Sequence, residues 1–556
     1  MHSPTRKRGR PQWPFIMVIV FLALAAWLYL PDILFSGPRG IHFIRQTDSI
    51  AFLMNYGRPS WDFLAPAVYD LRNAPDGGWA AAEFPVLYYL MALLKQMFGT
   101  SYMALRPVNL TIVLAGHFLL ARIAATWLGS AISGLGFSLW MLSSSVVLYY
   151  AANFLPDAAA YGCILAGLCL VLDGRSKPNW RKELAGAGLL VMGGLLKAPA
   201  ALYLLGYGCV LLFSKEPGKR RKLAGVLAGT LFIIAWNLYA IRYNARHQTH
   251  YFMTWAEPIW DMSGTEIGQT WKFIREYWWT KYHHPTSWHV FAALLLSAVF
   301  LGRRLPAPVR PLLAWWAPAI LAYLILFFRK FTDHDYYFLT VAPFLAFAAL
   351  AGLSAIREQW LKGRSPMALA LPLLLMACMG IRLGKLNLER RYNGTDDPHV
   401  VSTCLNGTVA EALAEAHIPQ DARFIVLGDP TPNGSLLFLD RKGWTYDGAK
   451  EYVPPLDSLV RAGADHLLTI GIVDQDLRCF DLVRRTPQWA LFRVHGEERG
   501  KHGTAIRGDA YQIDACPYGR NGQSVQAGTS AHTSDHPAIK GLKLGNPRLA
   551  RQWRQP

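Results

Sequence analysis

Eleven apolar runs constrain this 556-residue chain more than any other feature. They lie near 14–35, 105–126, 131–150, 158–173, 183–197, 198–213, 223–241, 288–301, 310–328, 338–354 and 366–383. About 20 apolar residues cross the hydrocarbon core of a bilayer, and runs of that kind cannot all hide inside one soluble core. The chain is 52% hydrophobic and only 17% charged, so the several soluble domains its length would suggest are excluded. The net charge of +19 would ordinarily raise nucleic acid as a partner. Here the basic clusters fall in short loops between apolar runs, so the excess of Lys and Arg on cytoplasmic loops explains them and no nucleic-acid partner is expected.

The same charges set the topology. Residues 1–13 carry Arg6, Lys7, Arg8 and Arg10 and precede an apolar run with no small-residue cleavage site. They read as a cytoplasmic N-terminus before an uncleaved first span. The loops 174–183, 214–222, 302–310 and 357–365 are basic and belong on the cytoplasmic side. That parity holds only if the apolar stretch 84–98, which is short and contains Lys95, lies flat on the outer surface. It also divides 183–213 into two spans at Lys197-Ala198-Pro199, where proline breaks the helix. The expectation is a polytopic α-helical membrane protein of about 11 spans over 14–385, with a first outer loop at 36–104 holding juxtamembrane helices. Its outer side also carries 153–157, 242–287 and 329–337.

Residues 386–517 read as an extracytoplasmic α/β domain. Arg423–Gly428 is strand-like, 435–439 is a short apolar run, 459–470 mixes helix and strand, and 489–494 and 510–513 resemble strands. Residues 518–556, rich in Gly, Ser, His, Lys and Arg, read as a disordered tail. Cys163, Cys169, Cys209 and Cys378 lie in apolar runs as small core residues, whereas Cys404, Cys479 and Cys516 allow one disulfide whose pairing stays open. No CxxC occurs, and His283-His284 has no evident third ligand, so no metal site is expected. Asn393, Asn406 and Asn433 each open an Asn-x-Ser/Thr sequon, which matters only in a eukaryotic secretory setting.

The polar, aromatic loop from Arg45 to Gly99 is where the chain departs from plain membrane-spanning composition. It opens Arg45-Gln46-Thr47-Asp48-Ser49 and runs through Glu83-Phe84-Pro85-Val86-Leu87-Tyr88-Tyr89 to Phe98-Gly99. An acid this close to a span costs desolvation energy unless it has a partner or a task. Arg106-Pro107 opens the next span, Leu155-Pro156-Asp157 follows in the second outer loop, and Asp333-His334-Asp335-Tyr336-Tyr337 comes later, with Pro343.

In order and in side, these elements resemble the GT-C superfamily of integral-membrane glycosyltransferases, and within it the protein-O-mannosyltransferase-like group that includes the lipid A aminoarabinose transferase. The likeness covers roughly 14–385 and does not extend to the C-terminal domain. Many members have Asp-Glu in the first loop where Ser49 follows the Asp here. Many have Lys-Pro-Pro where Glu83-Phe84-Pro85 stands, which removes the phosphate-binding Lys from that position.

The resemblance implies transfer of a sugar from a polyprenyl-phosphate donor to a lipid, glycan or protein acceptor at the outer face of the cell membrane. No cofactor is required by it; a divalent ion would need an acidic cluster that the sequence does not display. The acceptor hydroxyl needs a general base and the leaving phosphate needs cations. Asp48 is the candidate base, against a helix cap at Thr47 or Asp48. Asp157 orients the acceptor or caps the following span. Arg106 holds phosphate or snorkels at a helix end. Arg45, Glu83, Tyr88, Lys197, Arg329, Lys330, His334 and Tyr336 complete the substrate-binding candidates. The aromatics of 242–287, among them Trp255, Trp260, Trp271, Trp278 and Trp279, form an interface belt or line a groove. A transporter or lipid flippase is the alternative, but it would show mid-span charges and repeated halves, and neither is evident. A polysaccharide polymerase or ligase fits less well, because Asp48 comes so early.

Overall fold

A computed structural model of the protein describes residues 12–494, apart from 59, 177, 217, 251–255, 363–364, 366, 393–404, 406, 448–451, 472–476 and 478–479. The expected tail, the run 510–513, Trp255, Asn393, Asn406, Cys404, Cys479 and Cys516 lie outside the described residues.

Helices occupy each of the eleven apolar runs. In chain order they and their connecting helices are α1 (Trp13–Tyr29), α2 (Phe43–Asn55), α3 (Val86–Phe98), α4 (Leu105–Leu128), α5 (Ala131–Leu142), α6 (Ser145–Ala151), α7 (Pro156–Ser176), α8 (Trp180–Leu196), α9 (Ala201–Phe213) and α10 (Lys219–Arg246). There follow α11 (Gly264–Phe273), α12 (Trp279–Tyr282), α13 (Pro285–Phe300), α14 (Arg310–Leu326), α15 (Phe338–Trp360) and α16 (Met367–Tyr392). Among the described residues, α4, α7, α10, α15 and α16 are each long and apolar enough to cross a membrane. The expected single span over 131–150 is instead α5 and α6, bent by 82°. Two serines make the break. Ser143 turns its hydroxyl back onto the Trp140 carbonyl at 2.7 Å, and Ser144 accepts from Val147 N–H to start α6. Short hydroxyl side chains compete with the helix for its own backbone groups.

Small residues let the spans approach closely. A Cβ on Gly186 would stand 2.7 Å from the Gly167 carbonyl, and one on Gly162 would stand 2.7 Å from that of Ile112. Backbones in such contact gain dispersion energy that lipid cannot match. The Gly167–Gly186 crossing joins α7 to α8, and with them the two ends that carry Asp157 and Lys197.

The helix α3 has 13 residues, about 20 Å at 1.5 Å per residue, which is too short for the ~30 Å hydrocarbon core. One side, Tyr88, Met91 and Ala92, is buried against α2, while Leu90, Leu94, Met97 and Phe98 stand exposed. An apolar face left bare on a short helix is the build of an interfacial element.

The C-terminal part holds α17 (Thr408–Glu415), β1 (Phe424–Leu427), α18 (Gly434–Leu439), β2 (Gly443–Tyr446), α19 (Leu456–Arg461), β3 (His466–Ile470), β4 (Phe480–Arg485) and β5 (Trp489–Val494). The sheet order is β2-β1-β3-β5-β4, with β1 parallel to both neighbours and β5 antiparallel to both of its own. The strands β2 and β4 had no clear signal: β2 opens on a glycine, and β4 is an edge strand carrying Asp481, Arg484 and Arg485. Charges on an edge discourage further pairing and also erase the apolar alternation.

This sheet does not stand apart from the loop between α2 and α3. Leu71 N–H donates to the Gly443 carbonyl at 2.7 Å, and Gly443 N–H donates to that of Tyr69 at 3.1 Å, so the loop adds a short rung to the edge at β2. One apolar core runs through both, joining Ile50, Phe52 and Leu53 of α2 to Tyr88, Phe154, Val426, Leu436 and Trp489.

Gly186→Val should force α7 and α8 apart. Overpacking of this kind costs about 1–3 kcal/mol, and a lowered thermal unfolding midpoint of the detergent-solubilised protein would register it. An unchanged midpoint would mean that this crossing is not a tight one.

Candidate functional site

The site begins with how α2 starts. His42 takes the left-handed conformation, φ 58°, and the helix runs on from Phe43. Asp48 therefore lies inside the helix and not at its N-cap, which corrects the capping expectation for Thr47 and Asp48. Arg45 and Asp48 are three residues apart and share a face. Arg45 Nη1 is 3.8 Å from Asp48 Oδ2, and the same guanidinium pairs with Glu83 from the end of the loop. Asp157 occupies the first turn of α7, where the helix N-terminus favours negative charge. Its partner is Lys197 at the end of α8, with Nζ 2.7 Å from Oδ1. The Lys197 ammonium also rests over the rings of Tyr336 and Tyr337, at 4.9 and 4.6 Å.

Arg45, Glu83 and Lys197 line one cavity of about 360 Å³, which Tyr337, Pro199 and the α10 residues Trp236, Asn237 and Ile241 complete. Ile241 is exposed, as are Leu231, Phe232 and Leu238 along α10. The cavity wall thus combines charged residues with the apolar side chains of Leu195, Trp236, Ile241 and Phe327. Asp48 is buried one side chain behind Arg45.

Other candidates are placed elsewhere. Arg106 is fully buried, and all five of its N–H groups are committed: to the carbonyls of Ser36, Gly37 and Ala152, to Gln46 Oε1 and to Tyr392 Oη. It ties the loop to α6 and α16 and is not at the cavity. Arg329 and Lys330 bind Glu257 and Glu266 of the 242–287 loop. Tyr88 is buried and donates to Ser49 Oγ at 3.3 Å. Burial first, then the neighbouring His42, pulls His334 down to about 3, so its ring is neutral near pH 7 and offers a phosphate no positive charge. His284 caps α13 through Thr286 N–H, and His283 is buried beside Trp140 and Phe291. Among the described residues no three His, Cys, Asp or Glu side chains gather as a metal site. Asn433 is fully buried, which removes it as a glycan acceptor in the folded chain.

Two features escaped the sequence reading. Asn433 Nδ2 donates to Asp48 Oδ1 at 3.0 Å, bringing the C-terminal part to the candidate base. Asp335 is sealed between Arg391 Nη2 at 2.7 Å, Tyr150 Oη at 2.6 Å and His42 Nε2 at 3.3 Å. That cluster joins the start of α2, α6, the turn before α15 and the end of α16. The one available signal was Arg391 itself, a cation close to an apolar run and in need of an acid.

As a whole, the fold resembles that of solved structures of ArnT. The crystal structure of ArnT from Cupriavidus metallidurans in the apo state superimposes with a TM-score of 0.57 at 13% identity, covering 86% of this chain and 98% of that one. ArnT from the same organism bound to undecaprenyl phosphate gives 0.56 at 14%, covering 89% and 100%. At such identities the likeness is one of fold, and unlike the sequence resemblance it takes in the C-terminal sheet. No family model matches the sequence, and no curated protein matches it.

Arg391→Met should leave Asp335 buried beside His42 and Tyr150 without its cation. Breaking one side of a buried pair costs about 3–5 kcal/mol. Asp335→Asn in the same chain should recover much of the loss, as read by the unfolding midpoint in detergent. Equal midpoints for the single and double variants would show that the pair is not what holds these four elements.

Proposed function

We propose that the protein transfers a sugar from a polyprenyl-phosphate-linked donor to a lipid, glycan or protein acceptor at the outer face of the cell membrane. The observation that carries this reading is the cavity wall. Arg45 and Lys197 converge there from separate helices, each balanced by a carboxylate, beside Trp236 and Ile241 of α10. A phosphate on a long apolar tail suits both parts: the anion competes with Glu83 and Asp157 for the two cations, and the tail leaves past Trp236, Ile241 and Phe327. Undecaprenyl phosphate in the second ArnT structure supports a lipid phosphate as the class of ligand.

In this reading Asp48 is the general base. The donor phosphate draws Arg45 into the cavity and uncovers the carboxylate behind it. The acceptor oxygen bonds to the anomeric carbon on the face opposite the phosphate, and its proton passes to Asp48. The bond from that carbon to the phosphate oxygen breaks, and the electron pair leaves on the phosphate between Arg45 and Lys197. Asp157 keeps Lys197 in place, and Tyr336 and Tyr337 give it a floor. The reading calls for no cofactor. It assigns 14–385 to the transferase body and 386–517 to an extracytoplasmic domain.

Asp48→Asn keeps the shape of the side chain and removes the base. A general base contributes about 10²–10⁴-fold, and a loss of that size is expected with undecaprenyl-phosphate binding unchanged. Turnover is measured as undecaprenyl phosphate released when the purified protein is given the lipid extract of its own cells. Activity near wild type, together with an inactive Glu83→Gln, would move the base to Glu83.

The parity of the basic loops supports the sidedness. Single cysteines at Ala462, Arg181 and Arg220, in an otherwise cysteine-free chain, should react differently with an impermeant maleimide. Position 462 should label in intact cells, and 181 and 220 only after permeabilisation. The opposite pattern would overturn the orientation.

A further inference from the structure

Asn433 comes from a turn that is built to hold it. Asp429, at the end of β1, accepts from Thr431 N–H at 2.8 Å and Thr431 Oγ1 at 2.7 Å through one oxygen, and from Ser435 N–H at 2.9 Å through the other. This pins both sides of Asn433 at the start of α18, which packs directly on α2. The Asn433 side chain then spans two segments of the first outer loop. Its Oδ1 accepts from Tyr69 N–H and from Asp70 N–H, each at 3.1 Å. Two backbone donors fix which end of the amide is oxygen, so the end that meets Asp48 is the N–H donor. The Asp48 Oδ1 is held from the C-terminal domain, and its Oδ2 faces Arg45.

We propose that Asn433 is a positioning residue for the transfer reaction, and that the C-terminal domain is thereby part of the catalytic unit. The proposal rests on the reading of Asp48 as the base. An N–H donor on one carboxylate oxygen favours the ionised form and fixes the plane of the group; the oxygen that faces Arg45 takes the acceptor proton once the donor phosphate has drawn Arg45 away. No bond to Asn433 forms or breaks during transfer.

Asn433→Asp separates this role from a structural one. A carboxylate at 433 still accepts from Tyr69 and Asp70, so the loop contacts survive. It places a second acid against Asp48, and two carboxylates about 3 Å apart cannot both ionise freely, so the apparent pKa of the pair rises. Because the base works only when ionised, the acid limb of the pH–rate profile should move up, by about one pH unit or more. Turnover of the cell-lipid extract near pH 7 should fall about 10²-fold, with binding of undecaprenyl phosphate unchanged. A wild-type rate and limb, or a rate loss with no movement of the limb, would overturn the proposal. If Asn433→Asp is not recovered folded, Asn433→Ser takes its place, and unchanged turnover there overturns it equally. Asp48→Asn run alongside keeps the two readings apart. If Asp48→Asn is inactive while Asn433→Asp behaves as wild type, the base stands and the positioning role falls. If Asp48→Asn retains turnover within about threefold of wild type, both fall.

Discussion

Burying Asp335 and Arg391 costs several kcal/mol per ion unless they meet, and here they meet at 2.7 Å with a tyrosine and a histidine closing the shell. The same desolvation rule runs through the whole molecule. Lys222 joins Glu183 where α8 and α10 start, Lys197 joins Asp157, and Arg45 joins Glu83 and Asp48. Apart from Arg45 and Asp48, which share α2, each pair ties two segments that the apolar packing alone would leave free to slide. What distinguishes Arg45 and Lys197 is that both line a cavity, where under the proposed function an incoming anion takes the place of their carboxylates. A pair sealed like Arg391 and Asp335 can only hold; a pair beside a cavity can also exchange.

The helical frame was legible because the membrane imposes it. Length, apolarity and the placement of Lys and Arg are local properties, and they locate the helices and single out 84–98 as too short to cross. The break between α5 and α6 was not legible, since Ser143 and Ser144 are ordinary residues until their hydroxyls choose backbone partners. The edge strands β2 and β4 were hidden for a related reason: an edge tolerates charge and glycine, and so lacks an apolar rhythm.

The candidate site was legible only in part. Asp48, Arg45, Glu83, Lys197 and Asp157 lie in segments that the sequence order marks out. That Arg45 and Glu83 meet, and that Lys197 turns to Asp157, depends on how α2, α7 and α8 close together. Arg106 misled because a cation at the head of a span has the same local appearance whether it faces a ligand or, as here, spends all its donors on carbonyls and side-chain oxygens. Asn433 matches a surface sequon by three letters of sequence; its burial is a property of the assembled fold.

The hydrogen bond from Asn433 to Asp48 spans 385 residues of sequence. During synthesis the loop between α2 and α3 emerges early and waits for nearly all the remaining helices before the turn at 429–435 exists. Contacts of such separation form late, because the entropy of closing the intervening chain must be met before they return any energy. Segments made first fold first where they can; α2 and α3 can pair at once, but the rung at Tyr69–Leu71 cannot. A chain interrupted after α16 and before β2 would hold every apolar helix and still lack the sheet that settles the loop before α4. The contact between Asn433 and Asp48 thus arrives with the last part of the chain, so the order of synthesis sets when this part of α2 is completed.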